Sequence, residues 1–128
     1  MTVTSVAYEN DDDYVVLPAY ADYSTKQYYA MYLYTDGRAR ICAANADALG
    51  VLIDKPDAPD VECRIKVRGV VKGILGYAVS AGNAIATRSD GTFGPQSSTN
   101  PKIGVAHRAG ASGDVIPILL GVACETQT

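Results

Sequence analysis

The sequence is poor in residues on which many functions depend. It has no tryptophan, one phenylalanine and one histidine. No apolar run approaches the roughly 20 residues that a membrane-spanning helix needs. The first residues, "MTVTSVAYENDDD", lack the basic start and apolar stretch of a signal peptide. We therefore expect synthesis in the cytoplasm without export, and no membrane partner.

Cysteine is also scarce. Cys42, Cys63 and Cys124 are widely spaced and form no C-x-x-C pair, which argues against a zinc knuckle and a thioredoxin-type site. Buried, reduced cysteines are the favoured interpretation. A disulfide between subunits is the less favoured alternative.

No set of residues predicts catalysis. His107 could act as a base for one cysteine, but it lies in a short polar hairpin, and no glycine-flanked nucleophile motif occurs. The stretch "ENDDD" lacks the spacing, glycine and closing glutamate of an EF-hand loop. We expect a non-enzymatic protein with no cofactor, metal or small-molecule substrate. A cysteine-dependent hydrolase is the least favoured hypothesis.

Charge is unevenly distributed. The net charge is −3, but residues 1–36 hold six acidic side chains and only one basic side chain, Lys26. The rest of the chain is mildly basic. This balance gives no bulk attraction for nucleic acid, so no nucleic-acid partner is expected.

Tyrosine and glycine divide the chain. Eight of nine tyrosines lie in the first 34 residues, whereas all twelve glycines follow Asp36. Tyrosine suits surfaces that meet a protein partner. We predict a Tyr-rich acidic arm over residues 1–23, a β-domain over 24–122 and a tail over 123–128. The contact candidates in the arm are Tyr8, Asp11, Asp12, Asp13, Tyr14 and Tyr20. Half-buried strand positions are an equal alternative for its tyrosines, and a strand is favoured for Tyr28, Tyr32 and Tyr34.

Short apolar runs separated by turn residues every 8–12 positions predict an all-β fold. We expect a small β-barrel or β-sandwich, β-tulip-like, of short antiparallel strands, with "ANADAL" as the only candidate helix. Asp36-Gly37 predicts a hairpin between "YYAMYLYT" and "RARICA". In "VECRIKVR", a basic row alternates with apolar residues and is a further contact candidate: Arg64, Lys66 and Arg68.

One spacing occurs twice. Gly50 and Asp60 are as far apart as Gly104 and Asp114, and each pair encloses a loop before an apolar run. Two such hairpins suit a fold with approximate internal symmetry. Pro117 in "VIPILL" cannot donate a ladder hydrogen bond, so we predict either an edge strand or a bulge at this position. An apolar edge strand needs a cover, and a neighbouring subunit is the one that we expect. The subunit-interface candidates are Ile116, Pro117, Ile118, Leu119 and Leu120.

Taken in order, these pieces resemble the capsid cement, or head decoration, proteins of tailed bacteriophages. The resemblance covers roughly residues 24–120 and lies in a "QYY" strand, two D-G turns, a G-V-L strand before a proline loop, a basic V-x-G strand, an A-G-N-A-I turn and a closing I-G-V-A…G-D-V-I-P-I-L-L run. Its residues are Tyr28, Tyr29, Asp36, Gly37, Gly50, Val51, Leu52, Pro56, Gly69, Gly82, Asn83, Asp90, Gly91, Gly104, Gly113, Asp114, Ile116, Leu119 and Leu120.

The resemblance implies a non-enzymatic, often trimeric protein on the outer surface of an expanded capsid. Such a protein, made in the host cytoplasm, would bind major capsid protein subunits and hold them together. The alternative is a carbohydrate- or cell-surface-binding module in which tyrosines stack on sugar rings, although such modules commonly use tryptophan.

Overall fold

The computed structural model describes residues 13–42, 48–88, 90–96 and 102–121, and the structural statements concern these residues. The predictions for Tyr8, Asp11, Asp12, most of the "ANADAL" helix and the tail at 123–128 fall outside them. The described residues form ten strands and no helix: β1 (Tyr14–Pro18), β2 (Ala30–Leu33), β3 (Ala39–Ile41), β4 (Gly50–Leu52), β5 (Glu62–Lys66), β6 (Gly69–Ile74), β7 (Ala84–Thr87), β8 (Phe93–Pro95), β9 (Lys102–Ala106) and β10 (Val115–Leu120).

The strands form two antiparallel sheets of five, which confirms the all-β prediction. The first sheet has the order β1-β5-β4-β2-β3, and the second has the order β6-β10-β9-β7-β8. The outer strands of each sheet meet only at single parallel bridges, Ala19 with Ala39 and Leu75 with Phe93. The fold is therefore a small β-sandwich and not a closed barrel.

Both sheets have the same topology, because counting strands from the start of each gives the order 1-5-4-2-3 twice. We call residues 13–67 the first repeat and residues 69–121 the second repeat. Met31 pairs with Gly50 as Ile85 pairs with Gly104, so these positions correspond between the repeats. The bridges between outer strands also occupy corresponding places.

The turns repeat as well. In the first repeat, Asp36 Oδ1 accepts a hydrogen bond from the Arg38 N–H (3.0 Å), and in the second, Asp90 Oδ1 accepts one from the Thr92 N–H (3.2 Å). The glycine after each aspartate is in the left-handed region, with φ 84° and 83°. These Asp-Gly turns confirm both turn predictions and show that the symmetry extends beyond one hairpin.

Close approach of the backbone explains the repeated glycine. A Cβ on Gly50 would overlap the carbonyl oxygen of Lys66, and a Cβ on Gly104 would overlap that of Leu119. The two loops that follow differ by one residue. Asp60 therefore corresponds to Gly113, and both have positive φ, 68° and 91°. The repeated Gly-Val is a true structural equivalence, whereas the repeated Asp-Val is shifted by one position.

The interior contains two apolar clusters. One belongs wholly to the first repeat and includes Met31 and Leu52. The other is formed by the second repeat together with Ala30, Cys42 and Val51 of the first. Neighbouring residues of β2 and β4 therefore face different clusters, which explains why these short strands are apolar on both faces.

The structure corrects two predictions that concerned strand placement. Residues 14–18 form β1, which pairs with β5 along its whole length, so the described part of the predicted arm belongs to the first sheet. The "VIPILL" strand is not an edge, because β10 lies between β6 and β9.

The proline is tolerated inside the sheet because of where β9 ends. The Pro117 carbonyl accepts from the N–H of His107, one residue beyond β9. In an antiparallel pair, the N–H and C=O of one residue point toward the same partner residue. Pro117 therefore lacks only the bond that its N–H would have made to His107, at the end of the ladder.

Candidate partner-binding surface

Arg64 and Lys66 of the predicted basic row lie on the outer face of β5, and Arg68 follows two residues beyond its end. Two of the three charges are paired. The Arg64 guanidinium donates to both carboxylate oxygens of Asp54, with a shortest distance of 2.8 Å. This hydrogen bond lowers the pKa of Asp54, against a smaller opposing effect of burial. Arg68 lies 3.2 Å from Asp13. The row is therefore a partly neutralised surface.

The structure brings together most of the sequence-predicted contacts near the start of β1. Tyr14 is opposite Lys66 in the ladder, and its ring lies 5.5 Å from the Arg64 guanidinium carbon. Asp13 joins them through Arg68. Tyr20 follows the other end of β1, on the order of 20 Å away at strand rise. It belongs to a different surface.

That second surface is an aromatic and cationic cluster on the first sheet. The Arg40 guanidinium carbon lies 3.5 Å from the ring centroid of Tyr20 and 3.7 Å from that of Tyr34. Tyr32 meets Tyr34 edge to face, with centroids 6.1 Å apart. Arg38 lies over Tyr20 at 4.8 Å. We call Tyr20, Tyr32, Tyr34, Arg38 and Arg40 the Tyr-Arg cluster.

Arg38 and Arg40 differ in whether an acidic side chain pairs with their charge. Arg38 pairs with Asp36 at 2.9 Å and with Asp60 at 3.5 Å. Arg40 has no ion pair with another described residue, and its buried Nε has no hydrogen-bond partner there. A buried donor without an acceptor costs about 1–3 kcal/mol.

Sequence reasoning found only one member of the Tyr-Arg cluster, Tyr20. It assigned Tyr32 and Tyr34 to a strand, and Tyr32 lies in β2 as predicted. The missed signal is the alternation in "YLYTDGRAR", where Tyr32, Tyr34 and Arg40 stand on one face of the β2–β3 hairpin. Tyrosine and arginine are enriched among the residues that contribute most of the binding energy at protein interfaces.

The subunit-interface candidates in β10 divide by face. Ile116, Ile118 and Leu120 are buried in the chain's own core, so they are wrong as interface residues. Pro117 and Leu119 point outward and are half-buried. Beside them, Val70 is 59% exposed and Val115 is 40% exposed. The outer face of β6 and β10 is therefore apolar, and an interface there stays a prediction.

The residues considered for nucleophilic chemistry have unsuitable surroundings. Burial raises the pKa of the Cys63 thiol to about 11, opposite to the shift that activates a thiolate. His107 is exposed. The described part of the chain contains no pocket, no group of three possible metal ligands and no helix that could span a membrane.

Comparison with solved structures shows a likeness in fold. The fold resembles the N base of head fiber gp8.5 of bacteriophage phi29, with 19% sequence identity and a TM-score of 0.68. The match covers 84% of this chain and 94% of that chain. At this identity the likeness shows a shared fold. No family model matched the sequence, and no curated protein matched it.

Proposed function

We propose that the protein is a structural component of a bacteriophage virion. It binds the outer surface of the expanded capsid as a decoration protein and bridges neighbouring major capsid protein subunits. The likeness of nearly the whole fold to the base of a phage head fiber carries the proposal. The order of short motifs along the sequence points to the same class of protein.

The Tyr-Arg cluster is the surface that we assign to capsid contact. Tyr20 is 37% exposed, and Arg40 presents guanidinium donors that meet no described carboxylate. Tyrosine and arginine contribute most per residue at protein interfaces, because they combine a large contact area with directed hydrogen bonds. The partner surface would supply carboxylates or exposed carbonyls.

The same contacts weigh against sugar binding. A sugar ring stacks on a free aromatic face, and the Arg40 guanidinium, at 3.5 and 3.7 Å, already occupies one face of Tyr20 and one face of Tyr34. We therefore do not carry the carbohydrate-binding alternative as a second function.

The test is cosedimentation with expanded and compact shells assembled from the major capsid protein of the phage that encodes this chain. We expect binding to expanded shells alone. Arg40→Gln should weaken binding about 30-fold, as expected for loss of a strong interface residue. Arg108→Gln, at an exposed position of the β9–β10 hairpin, is the matched control and should bind like the parent.

Two results would contradict the proposal in different ways. Absence of the parent protein from expanded shells would reject the capsid function. Equal binding by Arg40→Gln and Arg108→Gln would reject the assignment of the Tyr-Arg cluster. The thermal midpoint of each variant shows whether a loss of binding reflects unfolding.

The acidic N-terminal segment has a separate proposed role in attachment. Because β1 begins at Tyr14, a deletion must stop at residue 12 to spare the first sheet. We expect the shortened chain to fold and to bind shells more weakly. Undiminished binding would remove Tyr8, Asp11 and Asp12 from the contact surface.

A further inference from the structure

The two repeats pack head to tail. The Ala30 N–H donates to the Gly91 carbonyl at 2.8 Å, and the Ile74 N–H donates to the Tyr28 carbonyl at 3.1 Å. If a two-fold axis related the repeats, Gly37, the counterpart of Gly91, would contact the second repeat as Gly91 contacts the first. Instead, nothing lies within 4 Å of where a Gly37 Cβ would be. The contact between repeats is therefore heterologous, and each repeat uses a different surface.

On the first repeat this contact uses a covered face, defined by Tyr28, Ala30, Val51 and Ile53. These residues pack against the core of the second repeat, and Ala30 and Val51 are completely buried. The second repeat contributes a covering turn, defined by Thr87 and Gly91. Thr87 is 1% exposed, and its Oγ1 lies 3.7 Å from the Cys42 Sγ.

The second repeat carries a counterpart of the covered face that the described chain leaves more accessible. The ladder registers place Gly82, Ala84, Val105 and His107 at these positions, and we call them the open face. Ala84 and Val105 are half-buried where Ala30 and Val51 are fully buried, and Gly82 and His107 are exposed.

The first repeat carries the complementary counterpart of the covering turn. Leu33 corresponds to Thr87, and Gly37 corresponds to Gly91. We call Leu33 and Gly37 the free turn. Leu33 is 53% exposed, compared with 1% for Thr87, and Gly37 is exposed. The exposed Leu33 stands where its counterpart Thr87 is buried against the other repeat. The surface around Leu33 therefore has no such neighbour in the described chain.

We propose that a second copy of this chain docks its free turn on the open face, so that the contact between repeats is reproduced between copies. The chain carries both halves of this interface, at opposite ends of its pair of repeats. Leu119, opposite Val105 in the ladder, and Val70 extend the apolar area beside the open face.

Heterologous contacts form a ring when the rotation closes and a filament when it does not. In a closed assembly of three chains, six repeats alternate around one ring. This proposal extends the predicted homotrimer to a specific interface and does not depend on capsid binding.

Disulfide trapping tests the interface directly. The counterparts of Cys42 and Thr87 are Gln96 and Leu33, so Leu33→Cys in one copy should cross-link to Gln96→Cys in another. Both changes are made in a Cys124→Ser chain, since Cys42 and Cys63 are buried. Mild oxidation of the two proteins mixed should give a covalent dimer on a non-reducing gel. Val61→Cys, at a position 37% exposed, mixed with Gln96→Cys is the control and should give no covalent dimer.

The cross-linking results test two points separately: whether the interface exists, and whether three copies close into a ring. With both cysteines in one chain, cross-linking that stops at three chains supports the three-copy ring, and longer ladders overturn it. Absence of a Leu33→Cys to Gln96→Cys dimer, or an equal yield with Val61→Cys, overturns the interface itself.

A variant without new cysteines gives an independent measurement. Leu33→Asp should reduce the mass measured by light scattering to that of one chain at micromolar concentration, with the far-ultraviolet spectrum retained. Val61→Asp is the control and should keep the parent mass. A parent protein that is itself monomeric under these conditions contradicts the proposal.

Discussion

The first and second repeats share one topology but differ in what they present to the surroundings. On the outer face of β5, the first repeat has Glu62, Arg64 and Lys66. At the corresponding strand of the second repeat, Val115, Pro117 and Leu119 point outward. The inner faces of both strands are buried in the core, whereas their outer faces differ in chemistry. One duplicated topology can thus serve two kinds of contact, a polar one in the first repeat and an apolar one in the second.

The aromatic residues follow the same division. The first repeat stacks Arg40 on Tyr20 and Tyr34, whereas the second has Arg88 over Tyr77 at 4.4 Å. The counterparts of Tyr20 and Arg40 in the second repeat are Gly76 and Gly94. Both of these glycines lie against neighbouring side chains, so a larger residue there would not fit. Packing within the second repeat therefore excludes a second Tyr-Arg cluster.

The largest expected effect concerns the glycines that the repeats share. Gly50→Ala and Gly104→Ala each place a Cβ against a backbone carbonyl that no side-chain rotation can move. We expect each change to destabilise the chain by about 3 kcal/mol or more, or to prevent folding. Urea unfolding measures the effect. Gly82→Asn, where nothing lies within 4 Å, should cost much less. Equal losses at all three sites would contradict the packing account.

A smaller effect should separate Val51 from its counterpart Val105. Val51 is fully buried between the repeats, so Val51→Ala should cost about 2 kcal/mol from two lost methyl groups and the cavity left behind. Val105 is only half-buried, so Val105→Ala should cost less than about 1 kcal/mol in the separate chain. Thermal unfolding of dilute protein measures both. Similar losses would mean that the open face is already covered within one chain.

The smallest expected effect compares the two Asp-Gly turns under acid conditions. Hydrogen bonds from Thr92 lower the pKa of Asp90 below the ordinary 3.8, and its Oδ1 accepts from the Thr92 hydroxyl at 2.6 Å. The stabilisation is therefore fully present above about pH 4 and is lost as the pH falls through the lowered native pKa. Asp90→Ala should cost about 1 kcal/mol at neutral pH and flatten the acid limb of stability.

Asp36→Ala is the matched change in the first repeat. Asp36 accepts a hydrogen bond from the Arg38 side chain at an exposed position, whereas Asp90 accepts from the buried Thr92. The loss of stability should therefore be smaller for Asp36→Ala than for Asp90→Ala. Denaturant midpoints between neutral and acid pH measure both variants. A larger loss at Asp36 would contradict this ordering.

Local patterns in the sequence predicted the all-β class, both Asp-Gly turns, the β2–β3 pairing and the alternation of β5. These features depend on residues close together in the chain, where periodicity and turn chemistry are sufficient. The repeated Gly-Val indicated internal symmetry for the same reason. Tyr20 was found as a contact candidate, but its place beside Arg40 was not, because the two meet only where β1 and β3 approach each other at Ala19 and Ala39.

The sequence by itself determined the all-β class, both Asp-Gly turns, the β2–β3 hairpin, the alternation of β5 and the symmetry of one hairpin, because each is encoded within a few neighbouring residues. The tertiary structure decided that β1 joins the first sheet, that β10 lies inside the second sheet, and that the repeats pack head to tail. Those features depend on which strands pair across long distances in the sequence, and on which apolar faces are buried by another part of the chain. Residues such as Leu33 and Thr87 differ in burial only because one repeat has a neighbour there within the chain and the other does not.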